Sequence, residues 1–162
     1  MKNKILIGIA LVLVGIQFIP RHKNTSPEIK KHALFTSYPT SHTVENIIRW
    51  ACADCHSNHT NAYWYSNIQP LAMWIDNHVK EGKEHFNIDD WNNYPPYKQY
   101  HKIEECIEVI DENEMPLNSY TWMHENAKLN DLQKREFTLW AKGLLDSMQN
   151  RYAPNELKKP KK

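Results

Sequence analysis

Glycine is scarce in this chain. Only four occur among 162 residues, and none stands in a phosphate-cradling pattern, so glycine-rich nucleotide-binding loops are excluded. No stretch alternates apolar and polar side chains with a period of two, which leaves no candidate strand and points to an all-α fold. A surplus of one charge sign is also lacking. The formal net charge is +1, so neither a nucleic-acid partner nor steering by the field of the whole molecule is expected. The three cysteines, Cys52, Cys55 and Cys106, are too few and odd in number for a simple disulfide framework. There is no internal repeat and no sign of a second domain, and the length suits one domain plus a leader.

A long hydrophobic run is present once, at the start. Lys2 and Lys4 precede Ile5 to Ile19, interrupted only by Gln17 and closed by Pro20. This is the n-region and h-region of an export signal. Fifteen residues fall short of the roughly 20 that span a bilayer. No small-x-small cleavage site closes the run and no Cys follows it, so residues 1–20 are expected to stay as an uncleaved signal-anchor in preference to a cleaved signal peptide. Basic residues flank both ends, including Arg21 and Lys23, and leave orientation open. Residues 21–43, with Pro27 and Pro39, read as a linker and irregular entry segment.

Against these absences stand six Trp, eight Tyr and one dense cluster, Cys52-Ala53-Asp54-Cys55-His56. C-x-x-C-H is the attachment pattern of c-type haem. Cysteines at i and i+3 of a helical turn point to one side and can bond both vinyl groups of one porphyrin, and the following His can ligate the iron. That chemistry takes place outside the cytoplasm, so it also orients the chain, with its body exported. Two rivals exist for the cluster. A zinc site counting Cys52, Cys55, His56 and His59 is disfavoured because His56 directly follows Cys55 and cannot easily turn onto the same ion. A thioredoxin-like dithiol would need a βαβ context that is missing. Cys106 reads as a small buried core residue.

Four helices are expected around the motif. Thr43 is a cap, Val44, Ile47, Ile48 and Ala51 form a stripe, and that helix should run on into Cys52–His56. Residues 57–69 read as loop. A second helix starts at Pro70, carries Leu71, Trp74, Ile75 and His78 on one face, and stops at Gly82. Asn87 or Asp89 opens a short piece around Trp91, and Tyr94-Pro95-Pro96-Tyr97 reads as loop. The next helix covers about Gln99 to Asn113, with Ile103, Cys106, Ile107 and Ile110 spaced for burial. Asn130 caps the last helix, whose stripe is Leu132, Phe137, Trp140, Ala141, Leu144 and Leu145. The folded body is thus residues 44–150, and the basic tail 151–162 is solvated.

Taken together, Cys52-Ala53-Asp54-Cys55-His56-Ser57-Asn58, Trp64-Tyr65-Ser66-Asn67-Ile68-Gln69-Pro70, Trp74, His78-Val79, Glu81-Gly82, Phe86-Asn87 with Trp91, Met115-Pro116-Leu117 with Tyr120, His124 and Leu139-Trp140 resemble the small haem-binding domain family of exported bacterial proteins, a relative of class I cytochrome c. The resemblance covers roughly residues 27 to 146. It implies a cytochrome c-like bundle of about four to five helices around one covalent haem c. Cys52 and Cys55 would be the thioether sites, His56 the proximal ligand and Met115 the distal ligand. His59 is a departure, where a polar non-ligand such as Gln is expected. His78, on the apolar face of its helix, is the alternative distal ligand, with Met73, Met123 and His124 as further competitors. Trp64, Tyr65 and Trp74 are candidate haem contacts.

The expected function is electron transfer by an exported monohaem cytochrome on the periplasmic side of the bacterial inner membrane. It would be anchored by its N-terminal segment and would serve unidentified redox partner proteins, with no small-molecule substrate. The alternative is a haem enzyme or a gas or peroxide sensor with an open distal site. A module without haem, in which the Cys pair forms a disulfide or metal site, is the third reading.

Overall fold

The computed structural model describes residues 2–21, 23–26 and 32–160. Pro27 of the entry segment and Lys161–Lys162 of the tail lie outside the described residues. Eight α-helices are found there: α1 Lys2–Gly15, α2 Ala33–Ser37, α3 His42–Ala51, α4 Ala53–His56, α5 Leu71–His85, α6 Pro96–Asp111, α7 Asn118–Thr121 and α8 Asp131–Arg151. Short 3-10 turns occur at Ile16–Phe18, Trp64–Asn67, Trp91–Asn93 and Glu125–Ala127. The described residues hold no strand, only an isolated antiparallel bridge between Thr25 and His59. The fold is all-α, and four of the body helices (α3, α5, α6 and α8) have ten residues or more.

α8 is the central stave, packed against α6 and α3. Its buried face is Phe137, Ala141, Leu144 and Met148. It meets Ile103 and Ile110 of α6 and Val44, Ile47 and Ile48 of α3 in one core cluster. Burying each large side chain of this kind stabilises by roughly 1.5–3 kcal/mol. The stripe differs from the sequence pattern at both ends: Leu132 is exposed, and Met148, one turn beyond Leu144, is fully buried. α8 begins with a capping box. The Asn130 side-chain oxygen accepts the Gln133 N–H at 2.9 Å, and the Gln133 side chain accepts the Asn130 N–H at 2.9 Å.

Other boundaries depart from expectation for local reasons. Ser41, not Thr43, caps α3: its hydroxyl oxygen accepts the Val44 N–H at 3.3 Å. α3 does not run through the cysteine motif. Cys52 leaves the helical region (φ −125°), and a new turn, α4, begins at Ala53. Pro96 belongs to α6, at its first turn, where a missing N–H costs nothing. The entry segment is not wholly irregular, because α2 buries Leu34 and Phe35 in the core, with Tyr38 just after it. The tail also returns to the body and buries Leu157.

Gly82 is the most informative difference. The sequence makes it a helix stop, yet α5 continues through it to His85. α5 packs on α4 there so closely that a Cβ on Gly82 would lie 2.7 Å from the Cys55 carbonyl oxygen. The glycine is required by this close approach, not by a turn.

At the N-terminus, α1 lies free of the body with every residue from Lys2 to Val14 exposed. Among the described residues no helix is long and apolar enough to cross a membrane, so the expected signal-anchor span is not found as one helix.

Two outcomes follow. Gly82→Ala should lower stability by about 1–3 kcal/mol through overpacking against α4, whereas Gly143→Ala, in open space on α8, should raise it by about 0.5–1 kcal/mol. Urea unfolding of both variants measures the opposite signs. The second concerns Asp89, which joins His32 at the start of α2 (2.6 Å) to the Asn58 N–H (2.7 Å). Burial pushes the Asp89 carboxyl up, but these hydrogen bonds and the His32 charge outweigh it and hold the group below the usual carboxylate range. A depressed carboxyl contributes stability above its unfolded value of about 3.9 and loses it as pH falls through the folded value. Asp89→Asn should therefore lower the neutral-pH urea midpoint and flatten its decline in the acid range.

Candidate functional site: a thiol-lined cavity

The cavity lies where α3, α4, α5 and α6 meet the Met115–Tyr120 segment, and it has a volume of about 480 Å³. That is within the range of pockets that enclose cofactors. Its walls are chiefly apolar, with Leu34, Ile48, Ile88, Ile103, Ile110 and Phe137 among them. Cys52, Cys55, His56, His78 and Met115 all line it.

The cysteine motif is placed by the break at Cys52. The Cys52 N–H still closes α3 on the Ile48 carbonyl at 3.0 Å. Its carbonyl accepts the N–H groups of Cys55 (3.1 Å) and His56 (2.9 Å), which turns both thiols onto the same wall. Burial, followed by the neighbouring Cys106 and Cys55, pushes the Cys52 thiol up to about 12. Burial and then the Asp54 carboxylate push Cys55 up to about 11. Both are neutral thiols at physiological pH. A reactive dithiol or a zinc site needs accessible thiolates, and among the described residues no group of three or more His, Cys, Asp or Glu is gathered to hold a metal.

His56 is clamped from both sides by the segment after α5. Its carbonyl accepts the Ile88 N–H at 2.9 Å, and its Nδ1 donates to the Phe86 carbonyl at 2.9 Å. A carbonyl only accepts, so Nδ1 carries the proton and Nε2 keeps its lone pair, the arrangement of a metal-binding histidine whose ring is oriented by a carbonyl behind it. Burial holds His56 below the ordinary imidazole value, against the opposing pull of the Phe86 and Gly82 carbonyls, and keeps it neutral. His78 is held similarly, with Nδ1 bonded to the Trp74 carbonyl at 2.8 Å. Met115 reaches the cavity from the turn after α6, where its N–H bonds the Val109 carbonyl at 3.1 Å.

The remaining candidates lie elsewhere. Trp64, Tyr65 and Trp74 are not on the cavity wall. Trp64 is 75% exposed, and Trp74 packs its ring on His78 at 4.3 Å. Tyr65 is hydrogen-bonded to Nε2 of His124, which occupies that nitrogen. Met73, Met123 and His59 are exposed and off the wall. Of the competitors for a distal ligand, the cavity brings in Met115 and His78.

Several wall residues went unread in the sequence. Cys106, taken for core, lines the cavity beside Cys52 and is pushed up to about 12 by burial. Lys102 and Glu105 add charge to the wall as an ion pair, and His85 adds an imidazole. Trp140, read as part of the α8 stripe, also lines it, and its Nε1–H is buried without an acceptor among the described residues. Asp54, inside the motif, is buried at 4% exposure. Its carboxylate accepts the Tyr120 hydroxyl (2.7 Å), the Tyr63 hydroxyl (2.8 Å), and the Asn61 backbone and side-chain N–H groups (3.0 and 2.9 Å). Burial and the carboxylate raise Tyr120, and they push Tyr63 up to about 12, so both stay donors. No spacing rule flags such a residue; its partners lie up to 66 positions away.

A family model described as a haem-binding domain matches residues 11–143. No curated protein and no solved structure matches the chain. The residues present fit a haem. The wall is apolar, two neutral thiols share it, a neutral imidazole presents an unprotonated nitrogen, and the buried Trp140 N–H lacks an acceptor that a propionate carboxylate would supply.

Asp54→Asn should destabilise the protein by about 2–3 kcal/mol, because the amide turns a donor toward groups that are themselves donors. Chemical denaturation measures the loss, and a weakened near-ultraviolet circular dichroism signal should report the loosened Tyr63 and Tyr120.

Proposed function

This chain belongs to the haem-binding domain family, and on that premise we propose that its cavity holds one haem c and that the protein carries single electrons on the periplasmic side of the inner membrane, anchored by its N-terminal segment. The observation that carries the reading is the lining of one cavity by Cys52, Cys55, His56 and Met115. Bound there, haem supplies a one-electron redox couple.

The chain's own residues have separable roles. Cys52 and Cys55 supply the two thioether sulfurs from one turn. His56 offers Nε2 to the iron, its ring orientation fixed by the Phe86 carbonyl. Met115 offers a thioether from the opposite chain segment, which favours a raised reduction potential and a saturated iron. Trp140 would supply an N–H to an acidic group of the haem, and Lys102 a cation shared with Glu105. The chiefly apolar part of the wall disfavours water there, which would favour electron transfer over ligand exchange. Partners are redox proteins, and no small-molecule substrate is required. His78 supports a second ligation, because its Nδ1 is engaged and its Nε2 is left for the cavity. An iron left open by Met115 would instead suit a sensor or peroxide chemistry.

The test is the optical spectrum of the protein matured with haem-attachment machinery, in both redox states. A c-type spectrum that survives denaturation, and is lost in Cys52→Ser with Cys55→Ser, is expected. The oxidised protein should show the weak near-infrared band of methionine ligation. Met115→Ala should remove that band and lower the potential. A spectrum untouched by Met115→Ala and altered by His78→Ala would transfer the distal role to His78. A high-spin wild type would favour the open-site reading.

A further inference from the structure

Where the N-terminal segment joins the body, the junction is rigid. The Gln17 side chain makes a two-point amide pair with the backbone of Gln69: its nitrogen donates to the Gln69 carbonyl (3.1 Å) and its oxygen accepts the Gln69 N–H (3.0 Å). Four residues on, the Arg21 guanidinium spans Asp76 (3.2 and 2.6 Å) and the Ser66 carbonyl. A fork on a carboxylate fixes direction as well as distance. The apolar segment is therefore held to the start of α5 without a slack linker.

The surface around that junction is apolar and exposed. Phe18 and Ile19 lie between the two clamps in sequence. Trp64, Ile68, Leu71 and Trp74 flank the residues to which the clamps bond, and each leaves more than a third of its surface open. The sequence puts Leu71 and Trp74 on one apolar face with Ile75 and His78, and the buried residues of α5 are Ala72 and Val79. Aromatic side chains with an apolar body and a polar edge are the residues of the membrane–water interface.

Length decides the occupant. The apolar part of α1, from Ile5 to Gly15, rises about 16 Å, and the 3-10 turn at Ile16–Phe18 adds about 6 Å. The total of about 22 Å is short of a hydrocarbon core of about 30 Å. A short segment draws its flanking residues down to the interface. With Gln17 and Arg21 clamped, the residues drawn down are those of the body.

We propose that the face formed by Trp64, Ile68, Leu71 and Trp74 rests on the lipid bilayer into which the Lys2–Phe18 segment inserts, so that the Gln17 and Arg21 clamps set the angle of the body to the membrane. This rests on the anchored reading given above. It replaces a head that swings on a tether by one that lies on the surface. Trp74, whose ring packs on the cavity-lining His78, then lies between the cavity and the lipid.

Hydroxyl-radical footprinting of the full matured chain in phospholipid nanodiscs tests it, read by mass spectrometry. Trp64 and Trp74 should be protected to the level of the buried Trp91, while Leu139, exposed on α8, stays reactive. The double variant Gln17→Ala, Arg21→Ala should remain in the disc and regain reactivity at Trp64 and Trp74. If the chain sits in the disc and Trp64 and Trp74 react as fully as Leu139, the docked face is wrong and the anchored reading survives. If the matured chain lacks residues 1–20, or does not enter the disc, both fail together. Protection that persists in the double variant would overturn the role of the clamps.

Discussion

The carboxylate of Asp54 is the point on which the site depends. It lies between the two cysteines of the motif, out of water, and draws in Tyr63, Asn61 and Tyr120 from two separate stretches of chain. A buried carboxylate is tolerated only when its lone pairs are met, and here four donors meet them. The consequence is geometric. The turn that carries the thiols, the loop after it and the segment that follows Met115 are joined through one residue. The two sides of the cavity that would grip a flat ligand are thereby held at a set separation before any ligand contributes.

The other constraints divide the labour. Close backbone packing at Gly82 sets α5 against the motif, hydrogen bonds from the 86–88 segment orient His56, and the apolar interior around α8 supplies most of the stability. Burial pushes the thiols of Cys52, Cys55 and Cys106 up and favours their neutral form.

What was legible in the sequence follows from locality. The cysteine motif, the α3 stripe and the Asn130 cap depend on neighbours within a few positions, and each was readable. Met115 and His78 are readable as candidates, and both line the cavity. Asp54 carries no local signal because its partners are distant in sequence, and Gly82 reads as a helix stop because the same residue ends helices and permits close approach. Trp64 and Trp74 lie off the cavity wall, and the sequence does not foretell this because aromatic residues beside such a motif serve a core as readily as a surface. The boundary at Thr43 failed for a smaller reason: two hydroxyl residues two positions apart compete to cap, and Ser41 has the extended backbone that the role needs.

Gly82 stands one helical turn beyond His78 on α5, with its back against the Cys55 carbonyl. The helix that presents the alternative ligand is thus indexed against the very turn that presents the thiols. A sideways shift of α5 would be transmitted to both at once, so the shape of the cavity is tied to the register of a single helix pair.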